Sequence, residues 1–220
     1  GTFSVDGVLS LPTAAIASAA GTGSFTFTGT GSSAGVKLQS SVSTVNGDIT
    51  ITGTGGEDGI RIENTVETTG AGSLRATGTA TGPNGNGISI DNGVGDYARA
   101  TGTGGAIFDA TGTGTGLDFD VALAGASTNA AANAAANTGL FSLTTARNLD
   151  FPSDRTFTGN VFLRSRTGNV TLQDLISTQG SLAVVSDQGN ITYDDLNAAT
   201  TIALTATQGF ITGTSILAGG

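Results

Sequence analysis

Two pairs of carboxylates stand close enough along the chain to act together. Asp118 and Asp120 alternate in a strand-like run and share a face, and Asp194 and Asp195 are neighbours at a turn. Glycoside hydrolysis needs two carboxylates at a set separation across a groove. Polysaccharide lyases combine acidic calcium ligands with a basic residue. Neither acid pair recurs at a fixed period, there is no His, and Lys37 is the only Lys. The expectation is therefore that the chain is not an enzyme and that no residue is catalytic. The strings GGEDG from Gly55 and TYDDLN from Thr192 also offer carboxylates beside turns. Calcium is the one cofactor these residues leave open, although neither string follows the glycine-rich nonapeptide or the EF-hand spacing.

The remaining chemistry-bearing residues form arrays. Thr-Gly-Thr begins at Thr28, Thr52, Thr77 and Thr101, in nearly equal steps. Thr28 and Thr30, Thr52 and Thr54, Thr77 and Thr79, and Thr101 and Thr103 would make four ranks of a Thr-x-Thr surface. Flat surfaces of that kind on β-solenoids bind ice in some antifreeze proteins. The alternative is β-branched stacking, with the Gly marking a strand that runs out into a turn. Arg164 and Arg166 share an outward face near Arg147 and Arg155, which reads either as a docking patch for an acidic glycan or as plain surface charge for solubility. Asn169 and Asn190 open Asn-x-Thr sequons but read as corner residues entering a strand.

What the chain lacks narrows the classes further. Among its 220 residues are no Cys, His, Met or Trp, which removes disulfides and the usual ligands of zinc, copper and haem. Without Met, residue 1 is expected not to be a native start, and the chain to be a fragment or a processed piece. A net charge of −9 argues against nucleic acid and anionic membrane as partners. No apolar run reaches the roughly 18 residues of a spanning helix, so no membrane insertion is expected. LPTAAIASAA from Leu11 lacks the basic flank of a signal peptide. The 36 glycines, abundant Thr and 11% charged residues are far from a globular average, yet 37% hydrophobic residues can still bury a thin core.

These residues are positioned by repeats. From Asn160 to the end, three segments align one above another at a nearly constant step. They bring Val161, Leu182 and Ile202 into one column, Leu163, Val184 and Leu204 into a second, Val170, Ile191 and Ile211 into a third, and Leu175, Leu196 and Ile216 into a fourth. Gly168, Gly189 and Gly209 share a turn column, as do Asn148, Asn169 and Asn190. Gly there would supply positive φ, and Asn tolerates the same region. In the N-terminal half, FTF, ITI and LRA precede the Thr-Gly-Thr motifs, and VKL, IRI and ISI follow them after Gly-rich turns. One coil cannot bury its apolar face alone, so coils must stack. The fold expected is all-β: a right-handed parallel β-helix, or β-solenoid, of about 20–25 residues per coil. Eight or nine coils at about 4.8 Å each make a rod on the order of 40 Å long. Residues 1–220 read as one solenoid. Residues 1–20 form an N-terminal cap or extended segment, 21–124 the Thr-Gly-Thr coils, and 125–139 an Ala/Asn-rich loop or junction. The stretch 140–220 holds the regular and shorter coils.

The strings NGDITITGTGG, GSLRATGTATGPNGNGISI and GNVTLQDLISTQGSLAVVSDQGNI resemble the repeat regions of filamentous-haemagglutinin-like exoproteins. These are bacterial surface and secreted adhesins exported by two-partner secretion or as autotransporters, and the likeness runs from Gly21 onward. It implies an extracellular or cell-surface β-helix shaft that presents or spaces adhesive regions. The partners it implies are further coils of a parent protein, copies of the chain end to end, and host or surface glycans. The family's secretion domain carries an Asn-Pro-Asn-Gly type motif near its start. Here only Gly-Pro-Asn-Gly occurs, at Gly82 to Gly85, in a mid-chain loop, which points to shaft and away from the secretion domain. An ice-binding Thr array and a carbohydrate-binding or carbohydrate-cleaving β-helix are the alternatives of other classes.

Overall fold

The structure, a computed structural model, describes residues 2–4, 9–11, 16–17, 22–83, 85–90, 98–100, 103–112, 117–118, 139–151 and 154–219. Every regular element among them is a β-strand, and every strand pairing is parallel. The chain is a β-solenoid. One sheet runs its length through nine strands: β1 (Thr2–Ser4), β4 (Phe25–Gly31), β7 (Ile49–Gly55), β10 (Leu74–Ala80), β13 (Ala106–Thr111), β15 (Phe141–Thr145), β18 (Val161–Ser165), β21 (Leu182–Ser186) and β23 (Ile202–Ala206). In the N-terminal half two further sheets complete each coil. One holds β2 (Leu9–Leu11), β5 (Ala34–Leu38), β8 (Asp58–Ile62), β11 (Asn86–Ile90) and β14 (Leu117–Asp118). The other holds β3 (Ile16–Ala17), β6 (Val42–Thr44), β9 (Val66–Thr68) and β12 (Ala98–Ala100). In the C-terminal half a single sheet does that work. It holds β16 (Leu149–Phe151), β17 (Arg155–Phe157), β19 (Val170–Leu172), β20 (Leu175–Ser177), β22 (Ile191–Ala198) and β24 (Ile211–Ala218).

Alternation of side chains across each strand builds the core. Val161 pairs with Leu182 and Leu182 with Ile202, while Leu163, Val184 and Leu204 form the adjacent column. Val170, Ile191 and Ile211 stack in the fourth sheet, as do Leu175, Leu196 and Ile216. All of these are buried except the members contributed by the last coil: Ile202 and Leu204 are half-buried and Ile211 and Ile216 exposed, because nothing described covers them. The N-terminal columns follow the same rule, with Phe27, Ile51, Ala76 and Phe108 in one file and Val36, Ile60 and Ile88 in another, all buried.

Two glycine expectations are corrected by the backbone. Among the described glycines only Gly70 has positive φ, at 67°. Gly168, Gly189 and Gly209 are glycine for another reason: a Cβ on Gly189 would lie 2.4 Å from the Gly168 carbonyl oxygen, and one on Gly209 2.3 Å from that of Gly189. Successive turns stack too closely for any side chain. The Thr-Gly-Thr motifs do not run out into turns either; they continue β4, β7 and β10. Gly29, Gly53 and Gly78 face inward against Gly35, Gly59 and Gly87 of the next wall. A Cβ on Gly53 would meet the Gly59 oxygen at 2.1 Å, and one on Gly78 the Gly87 oxygen at 1.9 Å. The two walls touch backbone to backbone at this edge.

The Ala/Asn-rich stretch from 125 to 138 lies outside the described residues; β13 and β15 on either side of it are adjacent in the long sheet.

Candidate functional surfaces

The Thr face follows from the glycine contact just described. With Gly29, Gly53 and Gly78 turned inward, the threonines on either side point out. Thr28 pairs with Thr52 and Thr52 with Thr77; Thr30 pairs with Thr54 and Thr54 with Thr79. Thr26 and Thr50 widen the same face by one column, which the sequence shows in the longer strings FTFTGT and ITITGT. The fourth rank fails. Thr77 and Thr79 pair onward with Asp109 and Thr111 of β13. Thr101 lies outside the described residues, and Thr103 is an exposed bend residue whose N–H bonds the carbonyl of Gly70. The string Arg-Ala-Thr-Gly-Thr occurs at Arg75 and again at Arg99, but Ala98–Ala100 pairs with β9 in the third sheet, where Arg99 bonds Glu67 at 2.7 Å. The array therefore has three ranks, bounded by Arg75 and Asp109.

The two central guanidinium groups of the Arg cluster are ion-paired. Arg164 holds Asp187 at 2.7 Å, and Arg166 reaches Asp109 with contacts of 2.8 and 2.9 Å to its two carboxylate oxygens. Arg147 is exposed in the turn one coil before Thr167, and Arg155 opens β17. The joint basic face expected from sequence thus carries an acid against each of its two central guanidinium groups.

The acids at the C-terminal corner do stack from coil to coil, contrary to expectation. Arg155 pairs with Leu175 and Leu175 with Leu196, which puts Asp154, Asp174 and Asp195 at one corner in consecutive coils; Asp195 is followed by Ser215. The period was hidden because the coil of Asp154 has one more residue between its strands, Leu149 to Arg155 against Val170 to Leu175 in the next. Desolvation, then the charges of Asp154, Asp195 and Asp194, holds the Asp174 carboxyl above its ordinary range, while the backbone of Asp195 donates a hydrogen bond that works the other way. Among the described residues no three acidic side chains converge as metal ligands. At GGEDG the carboxylates are engaged elsewhere: Glu57 accepts a bond from the Ser33 hydroxyl at 2.7 Å, and buried Asp58 faces Asn86 and Arg61. Asp118 is the register partner of Ser89; Asp120 lies outside the described residues.

Sequence reading missed the inward hydroxyls that close the corners. The Ser186 hydroxyl donates to the Gly168 carbonyl at 2.8 Å and accepts from the Gly189 N–H at 2.9 Å. Ser165 with Gly168, Ser177 with Gly180 and Thr44 with Gly47 repeat the same acceptance from the glycine N–H three residues on. The spacing Ser-x-x-Gly was the available signal. Asn148, Asn169 and Asn190 form a true ladder: each Oδ1 accepts the N–H one coil later, from Asn169 (2.9 Å), Asn190 (2.8 Å) and Phe210 (3.1 Å). The two sequon asparagines are thus structural rungs. On the opposite half, Glu63 sits among Lys37 (3.0 Å), Arg61 (2.8 Å) and the Gln39 amide (2.8 Å). Burial raises its pKa, but the Lys37 and Gln39 bonds and both cations outweigh that and hold the carboxyl below its usual range.

No protein-family model, curated protein or solved structure matches the chain.

Proposed function

We propose that the chain is a shaft module of an extracellular, adhesin-like bacterial surface protein, and that its work is rigid display and end-on association of coils. The observation that carries this reading is the single parallel sheet that keeps its register through nine strands, from Thr2 to Ala206. Each coil stacks on the next through the same parallel ladder, so length is added coil by coil. The low charge density and the likeness of its repeat strings to filamentous-haemagglutinin-like exoproteins support placement outside the cell. Side-chain chemistry along the walls is spent on coil-to-coil bonds, as the Asn ladder and the Arg166–Asp109 pair illustrate.

The test is geometric. Duplicating residues 181–200 should lengthen the particle by about 4.8 Å in small-angle scattering, with unchanged cross-section. A particle that broadens or unfolds on coil insertion would refute a shaft.

One observation favours a second reading, ice binding. The Thr pairs of β4, β7 and β10 stand outward in regular strand, about 6.7 Å apart along each strand and about 4.8 Å between strands. A freezing-point gap in solution, abolished by Thr52→Tyr, would place this reading first.

A further inference from the structure

The three coils that carry β4, β7 and β10 present different chemistry on different walls. On the long sheet each of these strands has three outward positions, and all but one of the nine are Thr: the six already paired from strand to strand, with Thr26 and Thr50 beside them. The exception is Arg75, in register with Thr50. The other two walls of the same coils are mixed. Lys37, Arg61 and Ser89 stack in the second sheet, and Ser43, Glu67 and Arg99 in the third. All three walls are parallel ladders with the same preference for β-branched side chains. Stacking alone therefore does not explain why Thr fills one of them and charge the others.

The hydroxyls of this wall are also unspent. Those of Thr44, Thr68 and Thr167 bond backbone carbonyls, but none of the eight outward hydroxyls has a hydrogen-bond partner among the described residues. They stand on a grid of three strands by three columns, about 13 Å along the strands and about 10 Å across them. Its backing is fixed, because Gly53 and Gly78 lie too close to Gly59 and Gly87 to admit a Cβ. The sheet cannot bow away from the wall behind it. A rigid array that repeats one hydroxyl and one methyl at constant spacing suits a ligand that is itself a lattice. A small soluble ligand would meet only a few of its positions. Arg75 breaks the repeat at one corner. It is exposed and makes no ion pair among the described residues. Its guanidinium is charged, carries five donors and no acceptor, and is held on a stem far longer than that of Thr. Water around it is ordered by the cation and not by the grid.

We propose that the eight threonines form one ice-binding face and that Arg75 limits it. The proposal rests on the ice-binding reading above and adds two things to it. Thr26 and Thr50, outside the Thr-Gly-Thr motifs, belong to the site, and the charge at the fourth corner sets how far the bound lattice extends.

The freezing-point gap of the whole chain, measured at one molar concentration, tests it. Arg75→Thr completes the grid and should widen the gap. Arg75→Lys keeps the charge and should not. Thr50→Tyr should narrow the gap as Thr52→Tyr does. Ser43→Thr adds a threonine to another wall of the same coils and should leave it unchanged. Circular dichroism spectra that match the parent's establish that each variant is folded; Thr is a favoured strand residue, so Arg75→Thr is expected to pass. A parent gap that Arg75→Thr fails to widen, or that Arg75→Lys widens equally, would overturn the role of Arg75 while keeping ice binding. A parent gap untouched by Thr50→Tyr would remove the third column from the site. No gap in the parent or in Arg75→Thr would overturn both the inference and the reading on which it rests.

Discussion

The two halves of the solenoid close the same corner in different ways. Beyond the two long-sheet columns that hold Phe25 and Phe27, the next inward position is Gly29, Gly53 and Gly78 in the first half, Ala110 at the crossover, and Thr145, Ser165 and Ser186 in the second. Where it is Gly, the strand runs on and the next wall presses against it, backbone on backbone. Where it is Ser or Thr, the strand stops and the hydroxyl binds the turn from inside. The change coincides with a shortening of the coil, from the step that links Phe25, Ile49 and Leu74 to the one that links Val161, Leu182 and Ile202. The same column therefore does steric work in one half and hydrogen-bonding work in the other. The Thr face exists only where the glycines let the strand continue.

The largest expected effect breaks the steric half. Gly78→Val would put a branched side chain where a Cβ alone meets the Gly87 oxygen at 1.9 Å. Neither wall can retreat without breaking its ladder, so a loss of at least about 3 kcal/mol is expected, measured by denaturant unfolding. If Gly78→Val unfolds like the parent, the contact between walls is not what holds this edge together. The counterpart in the other half is Ser186→Ala, which removes the acceptor of the Gly189 N–H and a donor to Gly168. The side chain fits, so the cost is that of a half-buried amide left without its partner, about 1–2 kcal/mol. Equal losses in the two variants would erase the distinction between the halves.

How much of this was legible follows from where periodicity is kept. Columns such as Val161, Leu182 and Ile202 were readable because a strand period of two and a coil of constant length fix both coordinates of each residue. The Thr101 rank was misplaced because the coils from Leu74 to Ala106 and from Ala106 to Phe141 are markedly longer than those before and after them. At that point Arg99 and Ala100, which open the second copy of Arg-Ala-Thr-Gly-Thr, sit in another wall. What separates the two copies is remote: Leu74 continues the file of Phe25 and Ile49, whereas Ala98 continues that of Val42 and Val66. Inward hydroxyls were missed because Ser within a strand reads as outward, unless its hydroxyl is matched to the glycine N–H three residues on. The ion pairs of Arg164 and Arg166 join residues 23 and 57 positions apart, a choice made by reach between coils and not by spacing.

A smaller effect tests the Asn ladder of the second half. Asn169→Ala removes the acceptor for the Asn190 N–H at an exposed turn, where water replaces part of the bond. A loss of about 1 kcal/mol is expected. Asn169→Asp should recover most of it, since a carboxylate oxygen accepts the same N–H. Rescue by Asp but not by Ala separates the ladder from mere packing.

The smallest effect, and the most discriminating in sign, is in the response to pH. Asp174 in the C-terminal half and Glu63 in the N-terminal half are shifted in opposite directions. For Asp174 the folded pKa lies above the unfolded one, so the folded state prefers the proton. Its contribution to stability is fully present below the unfolded pKa and is lost as pH rises through the folded pKa. At neutral pH the Asp154–Asp174–Asp195 corner is thus a cost, and Asp174→Asn should raise the melting temperature there. At acid pH, where Asp174 is already neutral, the variant and the parent should coincide. For Glu63 the folded pKa lies below the unfolded one; its stabilisation is present above the unfolded pKa and is lost as pH falls through the folded pKa. Glu63→Gln should therefore lower the melting temperature at neutral pH, with the gap closing on acidification. High salt should shrink both differences, because both groups are partly open to solvent. If the two variants shift in the same direction at neutral pH, the opposed electrostatics of the two halves is wrong.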